Sequence, residues 1–257
     1  MNFTDDEKQF YYENGYIKIP QAVPVPMIDK ALGLINHDLG QHGMNEEDLP
    51  RHRAQSYCNA IQSDPIMTDL FNESSLFSLS ESLLGKNKSH KAGSAQIALR
   101  FPAHPSKNPS TNNISGHIDG IGTGANGLEV GSFRRGFTAL CVVLLNDMPD
   151  ENSGNFTVWP KTHHQVYDYI KEHGEDILKE GVPNITPMEG AKHITGKAGD
   201  AVFAHFLTFH TAAQNFSSNI RYAAIFRVRS SMIDDIKGDA RFEPWLEYDG
   251  VRKAVNI

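Results

Sequence analysis

The sequence predicts a mainly β protein with flanking helices, folded as a sandwich or barrel. Helical periodicity with recognisable cap residues dominates the amino-terminal third of the chain. Short β-branched or aromatic segments bounded by Gly, Pro, Asn and Ser dominate the rest. No repeat or linker divides the chain, so we expect one domain over 1–257. It should comprise a mostly helical part over 1–90, a β core over 91–230 and a carboxy-terminal extension over 231–257.

The helical part begins with a capping box. The Thr4 hydroxyl can cap the amide of Glu7, and the Glu7 side chain can reach back to Thr4. This helix should end at Asn14-Gly15, because glycine adopts the left-handed conformation of a helix cap without steric cost. A short strand and two further helical stretches should follow, over residues 16–19, about 25–41 and 64–84.

The β core is predicted from five short stretches. They are rich in β-branched and aromatic residues and lie between turn-forming residues. They cover residues 94–101, 137–146, 155–159, 200–207 and 222–228. One helix, over roughly 165–180, should interrupt them, so the β core and its outer helices belong to one unit.

Composition excludes several function classes. The 24 Lys and Arg against 31 Asp and Glu give a net charge of −7, which argues against binding nucleic acid or a membrane surface by bulk electrostatics. Two cysteines, Cys58 and Cys141, are too few for a disulfide scaffold or a thiolate zinc site, so a bound metal would be held through nitrogen and oxygen. The polar amino terminus is unlike a signal peptide, and we expect a cytoplasmic protein. No sequence feature predicts a particular oligomeric state.

Three residues have the chemistry of a metal site. His117 and Asp119 lie two residues apart in SGHIDG, so on an extended chain their side chains point to the same side. His210, at the end of a strand-like run 93 residues later, supplies a second imidazole. Two imidazoles and one carboxylate form the facial triad of non-haem Fe(II) oxygenases and leave three coordination positions open.

Two features leave alternatives open. His205 lies in the same strand-like run as His210, and a separation of five residues places them on opposite faces of a regular strand, so only one should point inward. Arg221 follows His210 by eleven residues and could bind a distal carboxylate through a bidentate pair. An arginine taken alone also suits an ordinary ion pair at the surface.

Four segments in order resemble the phytanoyl-CoA dioxygenase-like family of Fe(II)/2-oxoglutarate-dependent oxygenases. They are FTDDEKQFYYENGYIKIP, SGHIDG, VVLLNDMPDENSGNFTVWPKTHH and GDAVFAHFLTFHTAAQNFSSNIRYAAIFRV. The resemblance covers residues 3 to about 229 and implies a double-stranded β-helix, or cupin-like jelly roll. It also implies Fe(II), 2-oxoglutarate and O₂ as cofactors and a small-molecule substrate, for which a locally basic pocket would suit an anionic group.

The resemblance also assigns roles to residues. It implies His117, Asp119 and His210 as iron ligands, favours His210 over His205, and implies Arg221 as the partner of the 2-oxoglutarate C5 carboxylate. His163 becomes a structural histidine of the family's P-G-S-H turn, in which this chain carries Lys and Thr for Gly and Ser. Because halogenating relatives replace the acidic ligand by Ala or Gly, the retained aspartate implies oxygenation.

Further pocket residues are expected around this site. The family often has a small hydroxyl two residues after the distal histidine; here that position is Ala212, and the adjacent Thr211 is expected near the cosubstrate. Gln96 and Arg100 share one face of a predicted strand, and we expect Gln96 near the cosubstrate and Arg100 near the substrate. Two arginines, Arg134 and Arg135, lie in a loop over 120–136 that could cover the iron and hold an anionic substrate.

Two rival functions share the same ligand set. One is a jelly-roll protein that binds metal without 2-oxoglutarate turnover, and the other is a cupin-like isomerase or hydrolase that uses another divalent metal. Neither rival needs a buried cation at Arg221, which therefore discriminates between them and an oxygenase. A G-x-G-x-x-G match over 122–127 lacks the preceding strand and following helix of a dinucleotide site, so we assign it no nucleotide role.

Overall fold

The computed structural model of the chain describes residues 1–43, 55–103, 116–120, 129, 136–174, 189–236 and 243–257. Its helices are α1 (Asp5–Asn14), α2 (Val25–His42), α3 (Pro65–Asn72), α4 (Ser75–Leu84), α5 (Thr162–His173), α6 (Ile233–Ile236) and α7 (Asp249–Val255). Its strands are β1 (Tyr16–Ile19), β2 (Gln55–Tyr57), β3 (Gln96–Arg100), β4 (Ala139–Leu144), β5 (Phe156–Val158), β6 (Lys192–His193), β7 (Ala201–His205), β8 (His210–Ala212) and β9 (Arg221–Val228).

The strands form two antiparallel sheets. The larger has six strands in the order β1-β7-β4-β9-β3-β2, and the smaller has three in the order β6-β5-β8. Sequence neighbours are rarely sheet neighbours, because the chain crosses between the two sheets as a jelly roll does. The predicted fold class, a mainly β jelly roll with flanking helices, is confirmed, although the sheets do not close into a barrel.

Apolar side chains fill two layers on opposite faces of the six-stranded sheet. On one face, alternate strand residues such as Cys141, Phe203 and Phe226 pack with α1–α4 and α7. On the other face, Val142 and Val202 pack against Val158 of the small sheet and against α5. The site described below lies on this second face, between the sheets. Among the described helices, none combines the length and apolar character needed to cross a membrane.

The predicted start of the chain is confirmed in detail. Thr4 Oγ1 accepts a hydrogen bond from the Glu7 amide at 3.2 Å, and the Glu7 carboxylate accepts one from the Thr4 amide at 2.8 Å. Gly15 ends α1 with a φ of 76°, as expected for a left-handed cap. Its carbonyl then accepts from the His205 amide and the Thr208 hydroxyl, both at 2.8 Å. The first helix end is therefore tied to the turn that precedes His210.

Two predicted helices have different bounds in the structure. The stretch over 64–84 divides into α3 and α4, because the Ser74 side chain accepts from the Leu76 amide and so caps a new helix. The helix over 165–180 begins three residues earlier, at Thr162, and ends at His173 before Gly174, which has a φ of 77°. Residues 175–180 lie outside the described part of the chain.

Gly15 offers a test of the link between α1 and the site. A Cβ at Gly15 would overlap His163 Nδ1 and Thr208 Oγ1, and the residue has a positive φ. We expect Gly15→Ala to lower the free energy of unfolding by about 3 kcal/mol, combining steric overlap with left-handed strain. Gly33→Ala, in the exposed middle of α2 with nothing within 4 Å, should instead stabilise by about 1 kcal/mol. Urea unfolding measures both; equal stability of Gly15→Ala and the parent would contradict this account.

Candidate metal centre

A pair of backbone hydrogen bonds joins the two histidines of the predicted triad. The His117 amide donates to the His210 carbonyl at 3.0 Å, and the His210 amide donates to the His117 carbonyl at 3.1 Å. Their imidazole centroids consequently lie 4.5 Å apart. His210 itself is held in β8, where it opens the pairing with Val158 of β5. Residues 93 positions apart in the sequence therefore meet by local sheet pairing.

Asp119 completes a cluster with one ligand atom from each side chain. Its Oδ1 lies 3.4 Å from His117 Nε2 and 3.8 Å from His210 Nε2. The three ligand atoms all lie within 4.8 Å of one another. Neighbouring ligands at about 2.1 Å from one ion are separated by about 3 Å, so small side-chain rotations would suffice to bind a metal.

The tautomer of His210 suits a metal ligand. Its Nδ1 lies 3.0 Å from the Thr208 carbonyl, which can only accept, so Nδ1 carries the proton and Nε2 keeps a free lone pair. Burial, reinforced by the nearby His117, lowers the pKa of His210 to about 4. The ring is therefore neutral near pH 7, which is the form that binds metals.

Asp119 is held ionised and oriented by its neighbours. Burial alone would raise its pKa, but the hydrogen bond with His117, the electrostatic influence of His210 and the charge of Arg227 outweigh burial and hold the pKa well below its usual range. Arg227 Nη2 lies 3.2 Å from Oδ2 of the carboxylate, and Arg227 Nη1 donates to Gln96 Oε1 at 2.9 Å. Arg227 thus occupies Oδ2 and leaves Oδ1 facing both imidazoles.

Arg221 places a buried cation in the same cavity. It opens β9, is 3% exposed, and donates from Nη1 to the Ala98 carbonyl at 3.2 Å. Its Nε has no hydrogen-bond partner among the residues that the structure describes. Burial, with the charge of Arg100 next in effect, lowers its pKa to about 9, so it remains charged near neutral pH. A buried cation with an unsatisfied donor favours an anionic ligand.

The cavity joins these groups in about 90 Å³. Thr211 and Gln96, both predicted near the cosubstrate, line it together with the triad and Arg221. Its apolar wall comes from both sheets and consists of Leu140, Val142, Phe156, Ala212 and Ile225. The donor set and the buried Arg221 cation thus fit a metal ion carrying an anionic organic ligand.

Of the other predicted pocket residues, only Arg100 is among those that the structure describes, and it does not line this cavity. Arg100 lies opposite Arg221 in the β3–β9 pair and donates from Nε to the Ala213 carbonyl at 3.2 Å. Arg134 and Arg135 fall outside the described residues, as do the glycine-rich match over 122–127 and all of the predicted covering loop except residues 120, 129 and 136.

The prediction that His205 and His210 lie in the same strand is wrong. The two residues do not share one strand: His205 ends β7 in the large sheet, and His210 opens β8 in the small one. His205 is buried, with Nε2 donating to the Pro244 carbonyl at 3.0 Å and Nδ1 accepting from the Leu207 amide at 3.2 Å. His163 is also buried elsewhere and donates from Nε2 to the Tyr12 carbonyl at 2.8 Å.

Arg227 is the site residue that the sequence analysis missed. It follows Arg221 by six positions in a predicted strand, and an even separation places two residues on the same face. Strand alternation alone could therefore have found it. Its role depends on Asp119, however, and that contact links residues 108 positions apart.

Comparison with known proteins identifies the family. The sequence profile of phytanoyl-CoA dioxygenase (PhyH) matches residues 11–223. The chain belongs to the phytanoyl-CoA dioxygenase family. Members of this family use Fe(II), 2-oxoglutarate and O₂, and the described residues contain the His-Asp-His set that such a centre needs. Among curated proteins, no sequence matches the chain significantly.

Solved structures share the fold at low sequence identity. HygX from Streptomyces hygroscopicus, crystallised with nickel and 2-oxoglutarate, is 12% identical with a TM-score of 0.58, over 90% of this chain and 88% of its own. The α-ketoglutarate-dependent carbocyclase SnoK of nogalamycin biosynthesis is 17% identical with a TM-score of 0.52, over 89% and 84%. The epimerase SnoN of the same biosynthesis is 19% identical with a TM-score of 0.52, over 91% and 87%.

The lowered pKa of His210 predicts how the metal-free protein responds to acid. Between the ordinary pKa of 6.5 and about 4, the unfolded chain binds a proton at His210 that the folded chain does not. Stability should therefore fall as pH drops through this window, by about 3 kcal/mol from this one group. His210→Gln should show a shallower dependence, whereas His90→Gln, at an exposed position, should match the parent. Urea unfolding from pH 7 to pH 4 measures it; parallel profiles for His210→Gln and the parent would refute it.

Proposed function

We propose that the protein is an Fe(II)/2-oxoglutarate-dependent dioxygenase that hydroxylates a small-molecule substrate and releases succinate and CO₂. The whole chain is proposed to form one oxygenase domain. One observation carries the proposal: the His-Asp-His cluster and a buried arginine with an unsatisfied Nε line the same cavity. Family membership supports the metal and the cosubstrate independently of this geometry.

In this proposal, His117, Asp119 and His210 hold the iron through Nε2, Oδ1 and Nε2. When bound, iron with 2-oxoglutarate supplies the O₂ activation and oxidative decarboxylation that drive attack on a C–H bond. Arg227 keeps Oδ2 of the aspartate engaged and so leaves one carboxylate oxygen for the metal.

Arg221 anchors the cosubstrate. Its Nε, which has no hydrogen-bond partner among the described residues, can donate to the distal carboxylate of 2-oxoglutarate in a charge-assisted hydrogen bond. Leu140, Val142 and Phe156 form an apolar wall of the same cavity. They exclude water and so strengthen the attraction between Arg221 and the carboxylate. Thr211 offers a hydroxyl in the same cavity.

The ligands that the chain retains support hydroxylation over halogenation. Asp119 occupies the position that halogenating relatives leave to a halide. A protein that only stored metal, or a hydrolase with another ion, would have no use for the unsatisfied Arg221. Because SnoK is a carbocyclase and SnoN an epimerase, the same chemistry can end in other products, and mass spectrometry of the product distinguishes them. HygX has been crystallised with hygromycin B, which supports a small molecule as the substrate class.

The central test is spectroscopic and uses no substrate. Anaerobic addition of Fe(II) and 2-oxoglutarate to the protein should give a visible charge-transfer band, because the cosubstrate chelates the bound metal. The band should be absent in His210→Ala, which lacks one of three metal ligands, and present in His90→Ala. In air the parent should form succinate. A parent protein with neither band nor succinate would overturn the proposed function.

Removing the cosubstrate anchor should weaken 2-oxoglutarate binding without weakening metal binding. Arg221→Met should weaken 2-oxoglutarate binding by at least about 100-fold, because a buried charge-assisted pair contributes about 3 kcal/mol. The Mn(II) affinity, measured by electron paramagnetic resonance, should stay within about threefold of the parent value, because the described contacts of Arg221 include no metal ligand. The same measurement checks that the variant is folded. Arg252→Met on α7 serves as the matched control. Unchanged 2-oxoglutarate affinity in Arg221→Met would rule out this anchor.

A further inference from the structure

A larger groove adjoins the metal cavity. It encloses about 480 Å³ and shares three lining residues, Gln96, Ile225 and Arg227, with the cavity that holds the triad. Its remaining lining residues come from the β2 region, from the segment before β3 and from the end of β9: Ser56, Gln62, Lys91, Ala92, Gly93, Ser94 and Arg229. The hydrogen-bonded side chains of Arg227 and Gln96 therefore form a wall between the two spaces.

The metal cavity and the groove lie one after the other along strand β9. Odd-numbered residues share one face, which carries Arg221 at its start, Ile225 near its middle and Arg227 near its end. At about 3.3 Å per residue, Arg221 and Arg227 are separated by about 20 Å along the backbone. Asp119 contacts Arg227, so the metal cluster faces the later part of this strand. A cosubstrate running from the cluster towards Arg221 leaves the groove beyond Arg227 open to a second molecule.

The groove is polar and carries positive charge. Three cations line it, Lys91, Arg227 and Arg229, and among its described lining residues none is acidic. The serine and glutamine side chains add hydrogen-bonding groups, and Ile225 supplies the one large apolar surface in the part that the structure describes. Such a lining favours a small polar molecule with a negatively charged group over an extended apolar one.

The existing ion pairs do not close the groove to an anion. Lys91 pairs with Glu73 at 2.7 Å, and Arg229 pairs with Asp234 at 3.1 Å. All four side chains are well exposed, and exposed ion pairs are weak, so a ligand anion can share or replace them. Arg227 pairs with Asp119, whose negative charge a bound metal ion would largely take up.

We propose that this groove binds the substrate, and that the substrate is a small polar molecule bearing a carboxylate or phosphate group. Lys91 and Arg229 hold the anionic group, while Arg227 and Gln96 separate it from the metal. This inference rests on the proposed function, because it assigns the substrate of the same centre. It adds a chemical class and an orientation: the reacting carbon lies towards Ile225, and the anionic group lies away from the iron.

The test measures anion binding near the metal by nuclear magnetic resonance. The protein is loaded with Mn(II) in place of iron and saturated with 2-oxoglutarate. Methylphosphonate, acetate and the neutral dimethyl sulfone are then titrated in turn. Paramagnetic broadening of a probe's methyl resonance reports binding close to Mn(II). We expect broadening with methylphosphonate, acetate or both and none with dimethyl sulfone; the stronger anion distinguishes a phosphate from a carboxylate group.

Matched variants locate the binding. The double variant Lys91→Met/Arg229→Met should weaken the better anion at least about tenfold, while Arg252→Met/Lys253→Met, which removes the same charge from α7, should not weaken it. Mn(II) affinity in each variant checks folding. Equal anion affinity in the groove variant and the parent, broadening by dimethyl sulfone as strong as by the anions, or no broadening at all would overturn the groove assignment.

Failure of the proposed function would look different. It would appear as a missing Fe(II)/2-oxoglutarate band and missing succinate, whereas the broadening experiment, with Mn(II) on the triad, still reports anion binding if 2-oxoglutarate does not bind. Loss of anion binding with an intact band would reject the groove alone. Loss of the band with intact, groove-dependent broadening would reject 2-oxoglutarate chemistry and leave an anion site beside a metal.

Discussion

The reciprocal hydrogen bonds between His117 and His210 are the interaction on which the candidate site depends. They fix two ligands from distant parts of the chain at one bridge, with N–O distances of 3.0 and 3.1 Å. The pairing of β8 with β5 and the tie of Thr208 to Gly15 hold His210 before any metal arrives. The protein thus meets much of the ordering cost of a metal site through its own fold, which raises affinity by preorganisation.

A buried positive charge makes that preorganised site suitable for an anionic ligand. The chain as a whole carries a charge of −7, yet Arg100 and Arg221 lie opposite each other in β3 and β9. Burial and repulsion from Arg100 lower the pKa of Arg221 to about 9, so the protonated form of Arg221 is destabilised relative to an exposed guanidinium. In the proposed function, a dicarboxylate compensates the charge of Arg221 with one carboxylate and binds the metal through its other end. The net charge of a protein therefore says little about the charge of its pocket.

Sequence reasoning succeeded where local rules decide the structure. The capping box at Thr4, the glycine cap at Gly15 and the β-branched stretches all depend on a few adjacent residues, and all are confirmed. Sequence reasoning failed where the structure of a segment depends on the strand with which it pairs. The two- and three-residue strands β2, β6 and β8 form because their backbones pair with a neighbouring strand. Segments this short are too short to show a hydrophobic periodicity. The prediction that His205 and His210 share a strand was wrong for that reason, since β7 and β8 belong to different sheets.

The candidate ligands followed from residue type and spacing, but their surroundings did not. Arg227 contacts Asp119 and Gln96 because β3, β9 and the His117 segment converge. A similar constraint governs Gly154: a Cβ there would lie 2.9 Å from Arg100 Cγ and 3.1 Å from Arg221 Cβ. Its φ of 79° also favours glycine, so the small sheet can approach both arginines closely.

That close approach explains the division of space around the metal. With the sheets drawn together over Arg221, the cavity between them is only about 90 Å³, whereas the groove beyond Arg227 is about 480 Å³. A compact cosubstrate suits the first space and a larger, variable molecule suits the second. Because the wall between them is a pair of side chains and not backbone, substitutions in the groove can change its ligand while the triad and its anchor stay in place. The fold thereby separates the invariant chemistry from the choice of substrate.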